Sequence, residues 1–312
     1  MKAIVYRKYG SPDVLELVEL EKPVPKDNEV LIEVYASSVN PYDWRSMRAD
    51  PFIIRFGGGM FKPKDIRLGA DVAGRVVEVG SKVKQFKIGD DVYGICTGAF
   101  AEYVCVAENR IALKPDNMTF EEAAAVPMAA ITALQSLRDK GKVTPEQKVL
   151  VNGASGGVGT YAVQIAKSLG AIVTGVCSTS KLDLVRSLGA DHVIDYKKED
   201  FTKNGQRYDL IVDAAAYHSL ADYKRALTPQ GRYIFIGGAF TIVFKIMLSK
   251  KENFEVLSAK VNQKDFIFIS ELIAEGKVKS VIDKVYPLSQ TAEAVRYLES
   301  GQARGKVVIA VK

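Results

Sequence analysis

The stretch Val149-Leu-Val-Asn-Gly-Ala-Ser-Gly-Gly-Val-Gly159 is a short apolar run, then a turn of small residues, then the opening of an Ala-rich amphipathic segment. The spacing predicts a buried strand at 149–151 and a helix over 158–169. Between them Ala154, Gly156 and Gly159 fill the small-residue places of a dinucleotide-binding turn, with Ala in the first place. The physics asks for small residues there: the turn is tight, a pyrophosphate must approach the backbone, and the helix must pack on its strand. Ser155, Gly156, Gly157 and Val158 then stand at a helix start, where free N–H groups and a positive partial charge receive an anion. A glycine pattern alone is a weak signal and also fits a plain glycine-rich turn. The strand before it and the helix after it are the context that the binding reading requires.

Working outward, the rhythm after this turn repeats. Strands are expected at 172–176, 192–194, 210–212 and 233–236, with a helix at 181–188, and alternating buried strands and helices predict a parallel sheet with helices on both faces. The first third is different. Residues 2–6, 14–20, 30–35, 71–79 and 91–96 read as irregular strands punctuated by Gly and Pro, which suggests a barrel-like domain. Thr119 with Glu122 three residues later opens a capped helix, and Pro127 is expected to break it. In the tail, helices are expected at 266–274 and 291–298 and strands at 282–287 and 306–311. The overall expectation is an α/β chain with a barrel-like first part and a parallel-sheet middle; whether the closing strand returns to the first domain and makes it discontinuous is left open by the pattern.

Composition narrows the function classes. The chain has 312 residues, 47% hydrophobic and 26% charged, which excludes a disordered or disulfide-built protein. The net charge of +6 is spread out; the basic pairs Lys197-Lys198 and Lys250-Lys251 are each followed by Glu, so a specific nucleic-acid surface is not expected. Three cysteines, Cys96, Cys105 and Cys177, have no paired spacing for disulfides or a metal knuckle. The opening MKAIVYRKYG lacks the apolar core of a signal peptide. The greasiest run, Tyr233 to Leu248, is interrupted by Gly237-Gly238 and Lys245 and is too short to cross a bilayer, which needs about 20 apolar residues. A cytoplasmic protein is the expectation.

The end of the strand at 172–176 bears on the cofactor. An NAD site usually places a carboxylate there to hold the ribose 2′-OH. This chain has Ser178, Thr179 and Lys181 instead. Hydroxyls and a cation suit a 2′-phosphate, so NADPH is favoured, although Lys181 also fits an ordinary solvated lysine.

Several motifs in order now carry a resemblance: Val39-Asn-Pro-Tyr-Asp43, Gly69-Ala-Asp-Val-Ala-Gly74, Gly89-Asp-Asp-Val-Tyr-Gly94, Gly98-Ala-Phe-Ala-Glu-Tyr103, the turn at 153–159, Leu188-Gly-Ala-Asp-His-Val-Ile-Asp-Tyr196 and Gly305-Lys-Val-Val308. Along essentially its whole length the chain resembles the zinc-independent medium-chain dehydrogenases/reductases of the quinone oxidoreductase type. The resemblance implies a GroES-like catalytic domain made from both chain ends (1–123 and 282–312), a central Rossmann domain (124–281) and a cofactor in the cleft between them. It implies that Ser178, Lys181 and Tyr196 surround the adenosine 2′-phosphate, that Thr132 approaches the nicotinamide side, and that Gly237, Gly238 and Ala239 lie by the nicotinamide ribose. A homodimer is likewise implied by resemblance alone.

Zinc-dependent relatives carry a cysteine where this chain has Asn40 and His-Glu where it has Ala70-Asp71. Catalytic zinc needs three converging N, S or O ligands, and the only histidines are His192 and His218, far from Asn40 in sequence. No metal is expected. Without a Lewis acid a simple carbonyl lacks its main activation, whereas a quinone or an α,β-unsaturated carbonyl is already conjugated. Tyr42 aligns with the hydroxyl residue that relays protons in zinc-dependent relatives and is the candidate donor, or else a packing aromatic. Asn40 is a candidate for orienting nicotinamide or acceptor oxygen, or else serves the turn before Pro41. Residues 46–63, with Phe52, Phe56, Met60 and Phe61, read as a lid over a flat acceptor or as an ordinary loop. Phe240 to Leu248 is open between pocket lining, dimer interface and membrane contact. The expected function is NADPH-dependent, metal-free hydride transfer to a quinone or enone; the rivals are an enoyl-thioester reductase and a non-catalytic NADPH-binding sensor with weak RNA affinity.

Overall fold

The structure is a computed structural model that describes residues 1–237, 241–249 and 253–312. Its strands are, in chain order, β1 (Lys2–Tyr6), β2 (Leu15–Glu19), β3 (Glu29–Val39), β4 (Asp71–Val79), β5 (Asp91–Ile95), β6 (Tyr103–Ala107) and β7 (Ile111–Leu113). There follow β8 (Lys148–Asn152), β9 (Ile172–Cys177), β10 (His192–Asp195), β11 (Tyr208–Asp213), β12 (Leu227–Phe235) and β13 (Phe254–Val256), and finally β14 (Ile282–Pro287) and β15 (Lys306–Ala310). The chain divides into two compact units. One joins Met1–Met128, Val261–Ala274 and Ser280–Lys312; the other joins Ala129–Lys260 and Glu275–Lys279.

The first unit holds a seven-stranded sheet in the order β14-β15-β3-β4-β5-β7, with β6 also on β3. The eleven-residue β3 organises it. Its start pairs with β6, its end pairs with β15, and β4 runs along its other side. Val30, Leu31 and Ile32 in succession have no exposed surface, so this strand buries both faces, and β-branched residues suit that environment. The last residues of β3 lie opposite the first of β15, Val39 with Val307 and Ser38 with Val308, and Ser38 lies opposite Asp71 at the start of β4. Three strand ends therefore meet where β3 runs into the helix Pro41–Arg48.

The second unit is a six-stranded, wholly parallel sheet in the order β10-β9-β8-β11-β12-β13. Val149, Leu150 and Val151 are completely buried, as expected for a strand covered on both faces. The chain moves outward from β8 through β9 to β10, then returns to the other side of β8 with β11. This reversal makes the C-terminal ends of β8 and β11 a topological switch point, where ligands bind in doubly wound sheets. The expected Rossmann architecture and the barrel-type partner sheet are both present.

Local expectations hold with instructive exceptions. Thr119 caps its helix, its Oγ1 accepting the Glu122 N–H at 3.2 Å. As expected, the first helix ends before Pro127, at Ala124, and a second begins, Pro127–Leu134; proline is tolerated in its first turn because no N–H is needed there. β6, β7 and β13 lie outside the expected strands; their pairing partners, not a pattern of their own, make them strands. The apolar run after Gly237 is in part a helix, Thr241–Ser249, with Phe244, Met247 and Leu248 exposed; Phe240 lies outside the described residues. Among the described residues no helix is long and apolar enough to cross a membrane.

Candidate active site

The turn after β8 is built from the backbone. Gly153 has φ of +84°, a conformation suited to glycine. The N–H groups of Gly153 and Ala154 bond to the Val176 carbonyl of β9, which ties the turn to the neighbouring strand. Gly159 sits against the turn: a Cβ there would lie 2.1 Å from the Gly153 oxygen. The helix Gly157–Ser168 follows, so the first N–H groups after Gly156 have no carbonyl within the helix to bond. Ser155 is buried and Gly156, Gly157 and Val158 are half-buried around this opening. The cradle fits a pyrophosphate, which needs bare backbone and a helix start.

At the next strand end Ser178 follows β9 and Lys181 closes a single 3-10 turn, Thr179–Lys181. Thr179 is not free: its hydroxyl donates to Asp195 at 2.6 Å, and this bond holds the Asp195 carboxyl below the usual carboxylate range. Tyr196, half exposed, donates its N–H to the Cys177 carbonyl and so stands beside Ser178 at the sheet's edge; its ring lies 6.2 Å from that of Tyr217. Thr132 is half-buried in the helix Pro127–Leu134. Gly237 follows β12 with its N–H on the Asp213 carbonyl. Gly238 and Ala239 lie outside the described residues.

In the first unit, the meeting of β15, β3 and β4 holds a cluster that sequence reading did not assemble. Asp71 is fully buried and accepts four hydrogen bonds: from Ser38 Oγ (2.6 Å), Asn40 Nδ2 (2.9 Å), the Met128 N–H (2.9 Å) and the Lys306 ammonium (3.3 Å). Lys306 is only 3% exposed, and its Nζ also donates to Asn40 Oδ1 at 2.6 Å. Asn40 in turn gives its other amide hydrogen to the Ser38 carbonyl. Its backbone N–H goes to Asp43, whose second oxygen takes the Gly69 N–H at 3.1 Å. Burial pushes the Asp43 carboxyl up to about 7, and the Asp71 charge adds to the rise; the N–H groups of Asn40 and Gly69 and the Lys306 ammonium pull the other way. The sequence signal for Lys306 was a lysine opening the apolar strand KVVIAV.

Tyr42 emerges from this buried base 53% exposed, on the helix that Asn40 and Pro41 begin. Of residues 46–63, Phe52, Phe56, Met60 and Phe61 are all exposed, Phe61 at 92%, so the apolar side chains of this loop are not tucked inward. The loop is tethered by Tyr9, whose hydroxyl donates to the Gly59 carbonyl, and the Arg55 guanidinium stacks between the rings of Tyr9 and Phe52. Among the described residues, no group of three or more His, Cys, Asp and Glu side chains is arranged to hold a metal ion.

Comparison with known proteins places this arrangement. A family model described as alcohol dehydrogenase GroES-like domain matches residues 26–116, and one described as zinc-binding dehydrogenase matches residues 188–309. The chain is 36% identical to the chloroplast envelope quinone oxidoreductase homolog of Arabidopsis thaliana, over 99% of this chain and 98% of that protein. The chain belongs to the medium-chain dehydrogenase/reductase superfamily. Within it, the chain is 37% identical to the chloroplastic NADPH-dependent alkenal/one oxidoreductase of Arabidopsis thaliana, over 99% of this chain and 79% of that protein. A solved quinone oxidoreductase from Coxiella burnetii matches with a TM-score of 0.89 and 30% identity, over 100% of this chain and 99% of that one. This medium-chain reductase is an oxidoreductase with a GroES-like domain and a Rossmann-type sheet.

Proposed function

We propose that this oxidoreductase moves a hydride from NADPH to a quinone or an α,β-unsaturated carbonyl, without a metal ion. The observation that carries the reading is the cluster of Asn40, Asp71 and Lys306. Its amide and carboxylate oxygens already face an ammonium belonging to the chain, which repels a divalent cation. An acceptor reduced there must supply its own activation, and conjugation does so: hydride arriving at the far carbon leaves a delocalised oxyanion that ordinary hydrogen-bond donors stabilise. The names of the two Arabidopsis relatives, a quinone oxidoreductase homolog and an alkenal/one oxidoreductase, support the same acceptor class.

Bound NADPH supplies the hydride. The chain's own groups do the rest. The helix start at Ser155, Gly156, Gly157 and Val158 binds the pyrophosphate. Ser178, Lys181 and Tyr196 take the 2′-phosphate; β9 itself ends without a carboxylate, and the neighbouring Asp195 is engaged by the Thr179 hydroxyl. Thr132 and Gly237 border the nicotinamide end. The Tyr42 hydroxyl donates to the acceptor oxygen, and Asn40 serves through the helix start from which Tyr42 projects. A homodimer belongs to the same reading: among the described residues β13 ends the parallel sheet, an edge for a second copy to extend.

The test is an acceptor screen with NADPH and NADH in parallel, over quinones, enones, alkenals and crotonyl-CoA, with and without a strong chelator. The expected result is NADPH oxidation by a quinone or enone that is insensitive to chelation. Turnover lost on chelation defeats the metal-free reading. Preference for crotonyl-CoA transfers the activity to enoyl thioesters, and tight NADPH binding with no turnover marks a sensor.

A further inference from the structure

The geometry points to Lys306 as a positioning residue for the reaction: its ammonium holds the Asn40 amide and, through it, the helix start that carries Tyr42. What the reaction is rests on the reading above; what Lys306 holds rests on the cluster itself.

Three observations converge. First, the position is an expensive one for a charge. Lys306 opens a strand whose next three residues, Val307, Val308 and Ile309, have no exposed surface. An apolar residue would continue that pattern, and replacing a buried ion pair by apolar side chains is often neutral or stabilising. Stability alone gives little reason for an ammonium here.

Second, the ammonium decides how Asn40 stands. An asparagine amide has an accepting and a donating end, and a lysine can only donate. Lys306 therefore requires Oδ1 on its side, at 2.6 Å, and turns Nδ2 toward Asp71 (2.9 Å) and the Ser38 carbonyl (3.2 Å). With its backbone N–H on Asp43 at 2.8 Å, Asn40 is held at both its side chain and its backbone. Among the described residues no other side chain donates to Asn40 Oδ1, and Lys306 comes to it across 266 residues of sequence.

Third, Asn40 is where the strand becomes a helix. It is extended, with φ of −127°, and the next residue begins the helix Pro41–Arg48. Tyr42 lies one residue further on and is exposed. A group misplaced by about 1 Å can slow a reaction about 100-fold even when it touches nothing that reacts. The same helix carries Trp44, the single tryptophan of the chain, so its fluorescence reports on this helix alone.

The competing account is that Lys306 merely neutralises Asp71. Lys306→Met by itself leaves Asp71 buried without its cation and is expected to lower the melting midpoint. The decisive protein is therefore the double variant Lys306→Met/Asp71→Asn, which removes both charges and takes the ammonium away from the amide oxygen of Asn40. If Lys306 positions the helix, the double variant melts near the parent and binds NADPH as the parent does. Its kcat falls by about 30-fold with acceptor KM little changed, within the range a small misplacement produces, and Trp44 emission and acrylamide quenching shift. Parental kcat with unshifted Trp44 emission overturns the proposal and leaves charge balance as the role. If the parent itself turns over no acceptor, the functional reading fails, and the Trp44 signal still decides this one: a shift supports the holding role, no shift overturns it.

Discussion

The two halves of this reductase's chemistry are built in opposite ways. The cofactor cradle is contiguous: eleven residues from Val149 to Gly159 supply a strand, a turn and a helix start, and backbone does the work. The cluster under Tyr42 is assembled from Ser38, Asn40, Asp43, Asp71 and Lys306, and side chains do the work, across 31, 235 and 266 residues of sequence. A backbone site is specified by small residues at a few positions, and at Gly159 it has no room even for a Cβ. A side-chain site is specified by mutual satisfaction of buried polar groups, and fails when one partner is removed.

That contrast can be broken or sharpened at four points. The largest effect is expected at Gly159→Val. Its Cβ would sit 2.1 Å from the Gly153 oxygen, so the turn cannot close. NADPH titration by fluorescence should show binding lost; retained binding would show that the cradle is not backbone-specified. Next is Tyr42→Phe, which keeps the ring and removes the donor. A positioned proton donor contributes ~100-fold or more, so kcat should fall by about that factor while NADPH affinity stays the same. An unchanged kcat leaves Tyr42 as a packing aromatic.

Third, Lys181→Ala should weaken NADPH binding by roughly 10-fold, the scale of one charge-assisted hydrogen bond, and leave NADH binding almost untouched. Equal losses for both cofactors would remove the 2′-phosphate assignment.

The smallest effect is a pH dependence. Asp43 has a folded pKa of about 7, above the ~4 of an unfolded aspartate. The folded chain therefore holds this proton more tightly. Its stabilising contribution is complete below pH ~4, declines as pH rises toward 7, and is lost above that. The melting midpoint of the parent should carry a downward component between pH 5 and pH 8 that Asp43→Asn flattens. An identical slope in the two proteins would mean that Asp43 is ionised throughout.

How much of this was legible follows from the same contrast. The strand–turn–helix of the cradle was read from one window, with helix bounds within a residue or so, because small residues at fixed spacing are a local requirement. Tyr42 and Asn40 were singled out by resemblance, but what they rest on was not. Nothing near Asn40 in sequence announces that its amide oxygen meets Lys306, and Asp71 entered only as a residue standing in place of a metal ligand. The short strands β6, β7 and β13 escaped for a related reason: pairing partners, not intrinsic pattern, make them strands. Pro127 was legible because its ring and missing N–H cannot continue a helix but suit the first turn of the next.

The amino-acid order by itself determined the periodic elements, the glycine turn and the alternation that makes a parallel sheet, since each depends on neighbours within a dozen residues. Tertiary structure alone decided that the closing strand lies against β3, that a lysine near the C-terminus reaches an asparagine near the N-terminus, and that two buried aspartates flank the helix carrying Tyr42. Those contacts join distant parts of the chain, and the buried polar groups that make them are satisfied only once the three strand ends have come together.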